Sequence, residues 1–173
     1  MAAPYTTGWR RGVQVPPRVA PYNIEQMKGS MIGKETPRKP PLVLVVDDES
    51  SIVAAFTETL QLDGYDTVPA HSAEDGLRLL DDGLMPDAVL LDLRMPGMGG
   101  LGFLLSLRAH PERQRIPVAV VTADTHLDDT AQEAVQALGA DLCFKPMTMQ
   151  DVLTLAAKLI APIPRFQNRR LIH

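Results

Sequence analysis

Leu42-Val43-Leu44-Val45-Val46-Asp47-Asp48-Glu49 runs five apolar residues straight into three acids. An unbroken apolar run of this length, rich in β-branched residues, is what a strand buried on both faces requires. Such strands belong to parallel sheets covered by helices on both sides. Acids placed directly after the run then stand at the carboxyl edge of the sheet.

Downstream the chain alternates two periods. Ile52, Val53, Phe56 and Leu60 share one helical face, with Gly64 as a stop. Tyr65–Pro69 reads as a weaker strand, because Pro69 cannot donate to a ladder and suits an edge. Ser72 caps the next helix, whose face is Ala73, Gly76, Leu77 and Leu80. Ala88–Leu91 is a third buried strand, followed by a helix marked by Leu101, Leu104 and Leu105 and ended at His110-Pro111. Ile116 to Val121 is the fourth strand. Leu127, Ala131, Ala134, Val135 and Leu138 form the next helical face, stopped by Gly139. Asp141–Phe144 is the fifth strand, with Cys143 and Phe144 expected in the core. Val152, Leu155, Ala156, Leu159 and Ile160 close the series. Five strands alternating with five helices over residues 42–160 predict an α/β, doubly wound parallel sheet.

Charge divides the 173-residue chain into three parts. Residues 1–41 hold seven Lys/Arg against Glu25 and Glu35, a net +5, and seven of the fifteen prolines. They read as a basic, Pro-rich, mostly disordered arm with one helical turn around Asn23–Lys28. Residues 42–160 hold seven Lys/Arg against nineteen Asp/Glu, a net −12, and Arg165, Arg169 and Arg170 make 161–173 a basic tail. An acidic body argues against nucleic-acid binding except through the tails. No apolar run is long enough for a membrane span, and the start lacks the apolar core of a secretory signal, so the cytoplasm is the expected location. Cys143 is the single cysteine and brings neither a disulfide nor zinc-ligand spacing. His71, His110 and His126 are scattered without ligand spacing.

In a doubly wound sheet the ligand site lies beyond the carboxyl ends of the strands. The residues there are Asp47, Asp48 and Glu49 after strand one, Asp92 after strand three, Thr122 and Ala123 after strand four, and Lys145 and Pro146 after strand five. Carboxylates crowded at one mouth repel and raise each other's pKa, which a bound cation relieves. Oxygen donors without His or Cys favour a hard ion, and Mg²⁺ shares itself with phosphate. Beside such an ion Asp92 is suited to attack phosphorus and form an acyl phosphate. Lys145 and the Thr122 hydroxyl are placed to stabilise the transferring phosphoryl oxygens.

Leu44-Val45-Val46-Asp47-Asp48-Glu49, Leu91-Asp92-Leu93-Arg94-Met95-Pro96-Gly97-Met98-Gly99-Gly100, Val121-Thr122-Ala123 and Lys145-Pro146 together resemble the two-component response-regulator receiver domain. Intervals of 44 residues from Asp48 to Asp92, 30 to Thr122 and 23 to Lys145 fit that family. The resemblance covers residues 42–160 and implies a flavodoxin-like sheet in strand order 2-1-3-4-5. It implies that Asp92 accepts a phosphoryl group from a sensor histidine kinase or a histidine phosphotransfer protein. It further implies Mg²⁺ held by Asp48, Asp92 and the Arg94 carbonyl, with Asp47 acting through water. Thr122 is then the switch hydroxyl, and Lys145 contacts the phosphate before a cis peptide at Pro146.

Three features, involving four positions, depart from the family pattern. Leu142 stands where a Tyr or Phe is usual, so the aromatic half of the switch is expected to be altered while phosphorylation persists. Arg94 and Asp124, two residues after Asp92 and Thr122, are expected to pair above the acceptor and hinder the attacking water. Gly99 replaces a frequent acid before Gly100 and is expected to loosen that loop.

The resulting reading is a stand-alone receiver, since thirteen residues after Ile160 are too few for a DNA-binding output domain. Its output would pass through protein contacts on the face of helix four, strand five and helix five, and its only chemistry would be on itself. The rival is a scaffold of the same fold that works without phosphorylation, which Leu142 keeps open. A phosphatase with a nucleophilic aspartate would want a second acid where Arg94 stands.

Overall fold

A computed structural model describes residues 39–125 and 127–161. Expectations for the arm, including the turn at Asn23–Lys28, for His126 and for the tail arginines fall outside the described residues. The elements are β1 (Leu42–Val46), α1 (Ser50–Leu62), β2 (Asp66–Ala70), α2 (Ala73–Asp81), β3 (Ala88–Leu91), α3 (Gly99–Ala109), β4 (Val118–Thr122), α4 (Asp129–Ala137), β5 (Asp141–Phe144) and α5 (Met149–Ile160). All four strand pairings are parallel, and the order is β2-β1-β3-β4-β5, as the sequence leads one to expect.

Strand alternation deals the apolar side chains to two cores. Leu44, Val46, Val89, Leu91, Val118 and Val120 face α2, α3 and α4, where Leu80, Phe103, Leu104, Leu107 and Val135 meet them. Val43, Val45, Leu90, Ala119 and Val121 face α1 and α5, against Phe56, Leu60, Val152, Leu155 and Ala156. Because β1 and β3 are covered on both sides, they need the continuous apolar runs seen in the sequence. Truncating a fully buried Leu44 or Phe103 to alanine would cost about 3 kcal/mol.

The edges are handled locally. In β2 the Asp66 N–H donates to the Pro41 carbonyl, and the Ala70 carbonyl accepts from Asp47 N–H, so even-numbered residues face β1. Pro69 therefore turns outward at the position where a donor would otherwise be exposed, which blunts the edge. Ser72 Oγ accepts the Asp75 N–H at 3.0 Å and starts α2. Thr148 and Asp151 form a reciprocal capping box that starts α5 directly after the β5 turn.

Two packing expectations are corrected. In α3 the buried residues are Gly100, Phe103, Leu104 and Leu107, while Leu105 is 51% exposed. The helical face is rotated because Gly100 approaches the backbone after β3, which the leucine spacing did not reveal. Phe144 is 43% exposed and Cys143 only half-buried, because β5 is an edge strand of the sheet. Burial and the nearby Asp141 carboxylate push the Cys143 thiol up. Among the described residues no helix is long and apolar enough to cross a membrane.

Candidate functional site

The sheet's hydrogen-bond ladder runs right up to the acids. Asp92 N–H donates to the Val46 carbonyl at 2.8 Å, and Asp47 N–H to the Ala70 carbonyl at 3.1 Å. Both carboxylates thus stand on backbone held by neighbouring strands, and both side chains are buried, with 4% and 5% of their surface exposed for Asp47 and Asp92. Each oxygen has a donor. Asp47 Oδ1 accepts Glu49 N–H at 2.9 Å, and Asp92 Oδ2 accepts Arg94 N–H at 2.7 Å. The other two oxygens share one ammonium: Lys145 Nζ donates to Asp47 Oδ2 at 2.6 Å and to Asp92 Oδ1 at 3.0 Å.

Lys145 reaches that point because β5 delivers it. Its N–H donates to the Thr122 carbonyl at 2.8 Å, and the Lys145–Pro146 peptide is cis. Burial alone pulls the Lys145 ammonium down, but its bonds to Asp47 and Asp92 outweigh that and hold it protonated above the ordinary lysine range. Burial pushes the Asp47 carboxyl up, and Lys145 opposes the shift.

Around this triad the remaining described residues add no further side-chain bond to Asp47, Asp92 or Lys145; Arg94 and Glu49 reach it through backbone N–H alone. Asp48 is exposed at the mouth, and Ala123 is exposed after β4. Thr122 is fully buried, and its Oγ1 accepts Asp124 N–H at 3.2 Å. Arg94 Nε donates to Asp124 Oδ2 at 2.8 Å, with Nη2 on the same oxygen, joining the β3–α3 and β4–α4 loops. Glu49 turns aside and accepts from Ser51 Oγ at 2.7 Å. Leu142 is half-buried beside Val120 and packs into the core facing α2–α4. Gly99 adopts φ +66°, a left-handed conformation that glycine suits, so its place in the loop is conformational as well as a missing acid.

The donors at this mouth are carboxylate and carbonyl oxygens, and a cationic ammonium already bridges two of the carboxylates. That chemistry fits a hard divalent ion. Among the described residues no three His, Cys, Asp or Glu side chains are gathered to hold an ion by themselves. A shell completed by a carbonyl and waters is what Mg²⁺ ordinarily takes.

One contact went unread in the sequence. Glu74, in the first turn of α2, accepts the Met98 N–H of the β3–α3 loop at 3.0 Å. Its neighbour Asp75 donates its N–H to Ser72 Oγ, the cap the sequence predicts. Nothing in local sequence marks a bond across 24 positions.

A family model described as the response regulator receiver domain matches residues 43–157. Among curated proteins, Transcriptional regulatory protein PrrA of Mycobacterium tuberculosis is 32% identical over 130 residues, covering 75% of this chain and 51% of that protein. Regulatory protein AtoC of Escherichia coli is 34% identical over 110 residues, covering 64% of this chain and 23% of that protein. The chain thus spans from about a quarter to about half the length of these relatives. Among solved structures, a response regulator receiver protein from Pseudomonas putida aligns with a TM-score of 0.64 at 33% identity, over 70% of this chain and 98% of that one. A response regulator receiver domain protein from Clostridium thermocellum gives 0.62 at 30%, over 69% and 94%.

Proposed function

We propose a phosphoacceptor role for this chain, which belongs to the response regulator receiver domain family: Asp92 takes a phosphoryl group from a histidine of a sensor kinase or phosphotransfer protein. The observation that carries this reading is the single Lys145 ammonium shared between Asp47 and Asp92, with the second Asp92 oxygen held by Arg94 N–H. A carboxylate so held has a fixed direction of attack. Its oxygen forms a bond to phosphorus as the donor's P–N bond breaks, and the imidazole leaves with a proton. Water later attacks the acyl phosphate and returns inorganic phosphate and the carboxylate. Lys145 stabilises the charge on the transferred group, and the buried Thr122 hydroxyl supplies a further donor once it turns from Asp124 N–H.

Mg²⁺, when bound, neutralises charge on the phosphoryl oxygens. Asp48, Asp92 and the Arg94 carbonyl would hold it, with Asp47 behind. The proposal includes signalling through protein contacts on the face of α4, β5 and α5, where Phe144 and Met149 are exposed apolar side chains. The curated relatives extend well beyond their matched regions, so the proposal concerns the receiver module.

A second reading, a receiver-fold scaffold that works without phosphorylation, draws on one observation. Leu142 packs in the core and offers no ring to swing inward when Thr122 moves. Titration calorimetry with beryllofluoride and Mg²⁺ separates the two. The phosphoacceptor reading expects binding by the wild type and none by Asp92→Asn; a wild type that fails to bind supports the scaffold.

A further inference from the structure

The β3–α3 loop is fixed at three points. At its base Gly100 N–H donates to the Leu93 carbonyl at 3.1 Å, and a Cβ on Gly100 would fall 2.1 Å from the Asp92 carbonyl oxygen. Along its inner side Met95 is buried in the core. At its outer tip Glu74 Oε1 accepts Met98 N–H at 3.0 Å from the first turn of α2. Gly97, at φ +78°, passes so close to that carboxylate that a Cβ there would lie 2.5 Å from Oε1. The same loop carries Arg94, whose N–H holds Asp92 Oδ2 and whose guanidinium holds Asp124.

We infer that Glu74 is a positioning residue for the acceptor loop: by fixing Met98 from α2, it sets the Arg94 carbonyl and N–H in place for the cation and for Asp92. This rests on the proposed Mg²⁺-dependent phosphoacceptor function. The bond is charge-assisted, and the Met98 N–H in turn holds the Glu74 carboxyl below the usual range. Without it Met98 N–H turns to water, the loop samples more conformations, and the ordering cost falls on ligand binding.

A plain helix-stabilising role is the rival, since an acid in a first turn also suits the helix dipole. Asp75 provides the control. It lies in the same turn but pairs with Arg78 and does not touch the loop. The test is Mg²⁺ calorimetry on the full chain, with amide exchange of Met98 and Arg94 measured without metal, for wild type, Glu74→Ala, Glu74→Gln and Asp75→Ala. Glu74→Ala should bind Mg²⁺ about threefold to tenfold more weakly and exchange the Met98 amide faster by a similar factor. Asp75→Ala should match wild type in both, and Glu74→Gln, which keeps an acceptor oxygen, should restore most of the protection. Wild-type affinity in Glu74→Ala, or an equal loss in Asp75→Ala, overturns the inference alone. A wild type that takes up no Mg²⁺ overturns the proposed function and this inference with it.

Discussion

Lys145 and Asp92, 53 positions apart in sequence, meet through a 3.0 Å hydrogen bond, while the same ammonium holds Asp47 at 2.6 Å. Two buried carboxylates thus share one partly buried cation, and the balance of charge decides what each substitution does. Removing Asp92 as Asp92→Asn leaves Asp47 and Lys145 as a neutral pair, so stability should change by less than about 1 kcal/mol. Removing the cation as Lys145→Met leaves two desolvated carboxylates facing each other and should cost about 3 kcal/mol. Urea unfolding of the two variants at neutral pH checks the contrast. Equal losses would mean that the three charges do not act as one unit.

Arg94 and Asp124 join the loops that follow Asp92 and Thr122, and Arg94 is largely exposed. An exposed pair is worth under about 1 kcal/mol, so its effect on the phosphoryl lifetime is bounded at roughly fivefold. Arg94→Asn should shorten the lifetime of the acyl phosphate by about twofold to fivefold, read by the decay of the phosphorylated mass. An unchanged lifetime would make the pair two surface side chains without a role in excluding water.

Leu142 fills part of the core where a ring is usual in the family. Beryllofluoride with Mg²⁺ should change amide exchange in α4 less in the wild type than in Leu142→Tyr, whose larger side chain should cost under about 2 kcal/mol at this half-buried site. Equal responses would show that the switch does not depend on the residue at this position.

Asp151 closes the box that starts α5, and its bonds from the Thr148 hydroxyl and then the Thr148 N–H hold its carboxyl below the ordinary range. A depressed carboxyl contributes stability that is fully present above its unfolded-state value and is lost as pH falls through the folded-state value. Asp151→Ala should therefore lower the melting temperature at neutral pH and much less at about pH 2, where both proteins lack the charged cap. A difference that does not shrink with acid would assign the loss to packing.

The parallel direction of the strands was legible because buried parallel strands leave unbroken apolar runs, as Leu42–Val46 and Ala88–Leu91 do, whereas their order followed only from the resemblance to the receiver family. The residues that meet at the mouth were legible because each directly follows a strand, where topology alone brings them together. Phe144 and Leu105 were misread because burial at a sheet edge and on a helix face depends on how far the neighbours reach, which local periodicity does not carry. Glu74 was invisible for a related reason: its partner is a backbone N–H on another loop, and any residue but proline offers one there.

Intact-protein mass spectrometry after incubation with acetyl phosphate and Mg²⁺, beside Asp92→Asn, tests the phosphoacceptor claim most directly. One added phosphoryl group on the wild type and none on the variant is the expected result. The same adduct on Asp92→Asn, or no adduct on a wild type that also fails to bind beryllofluoride, would contradict it.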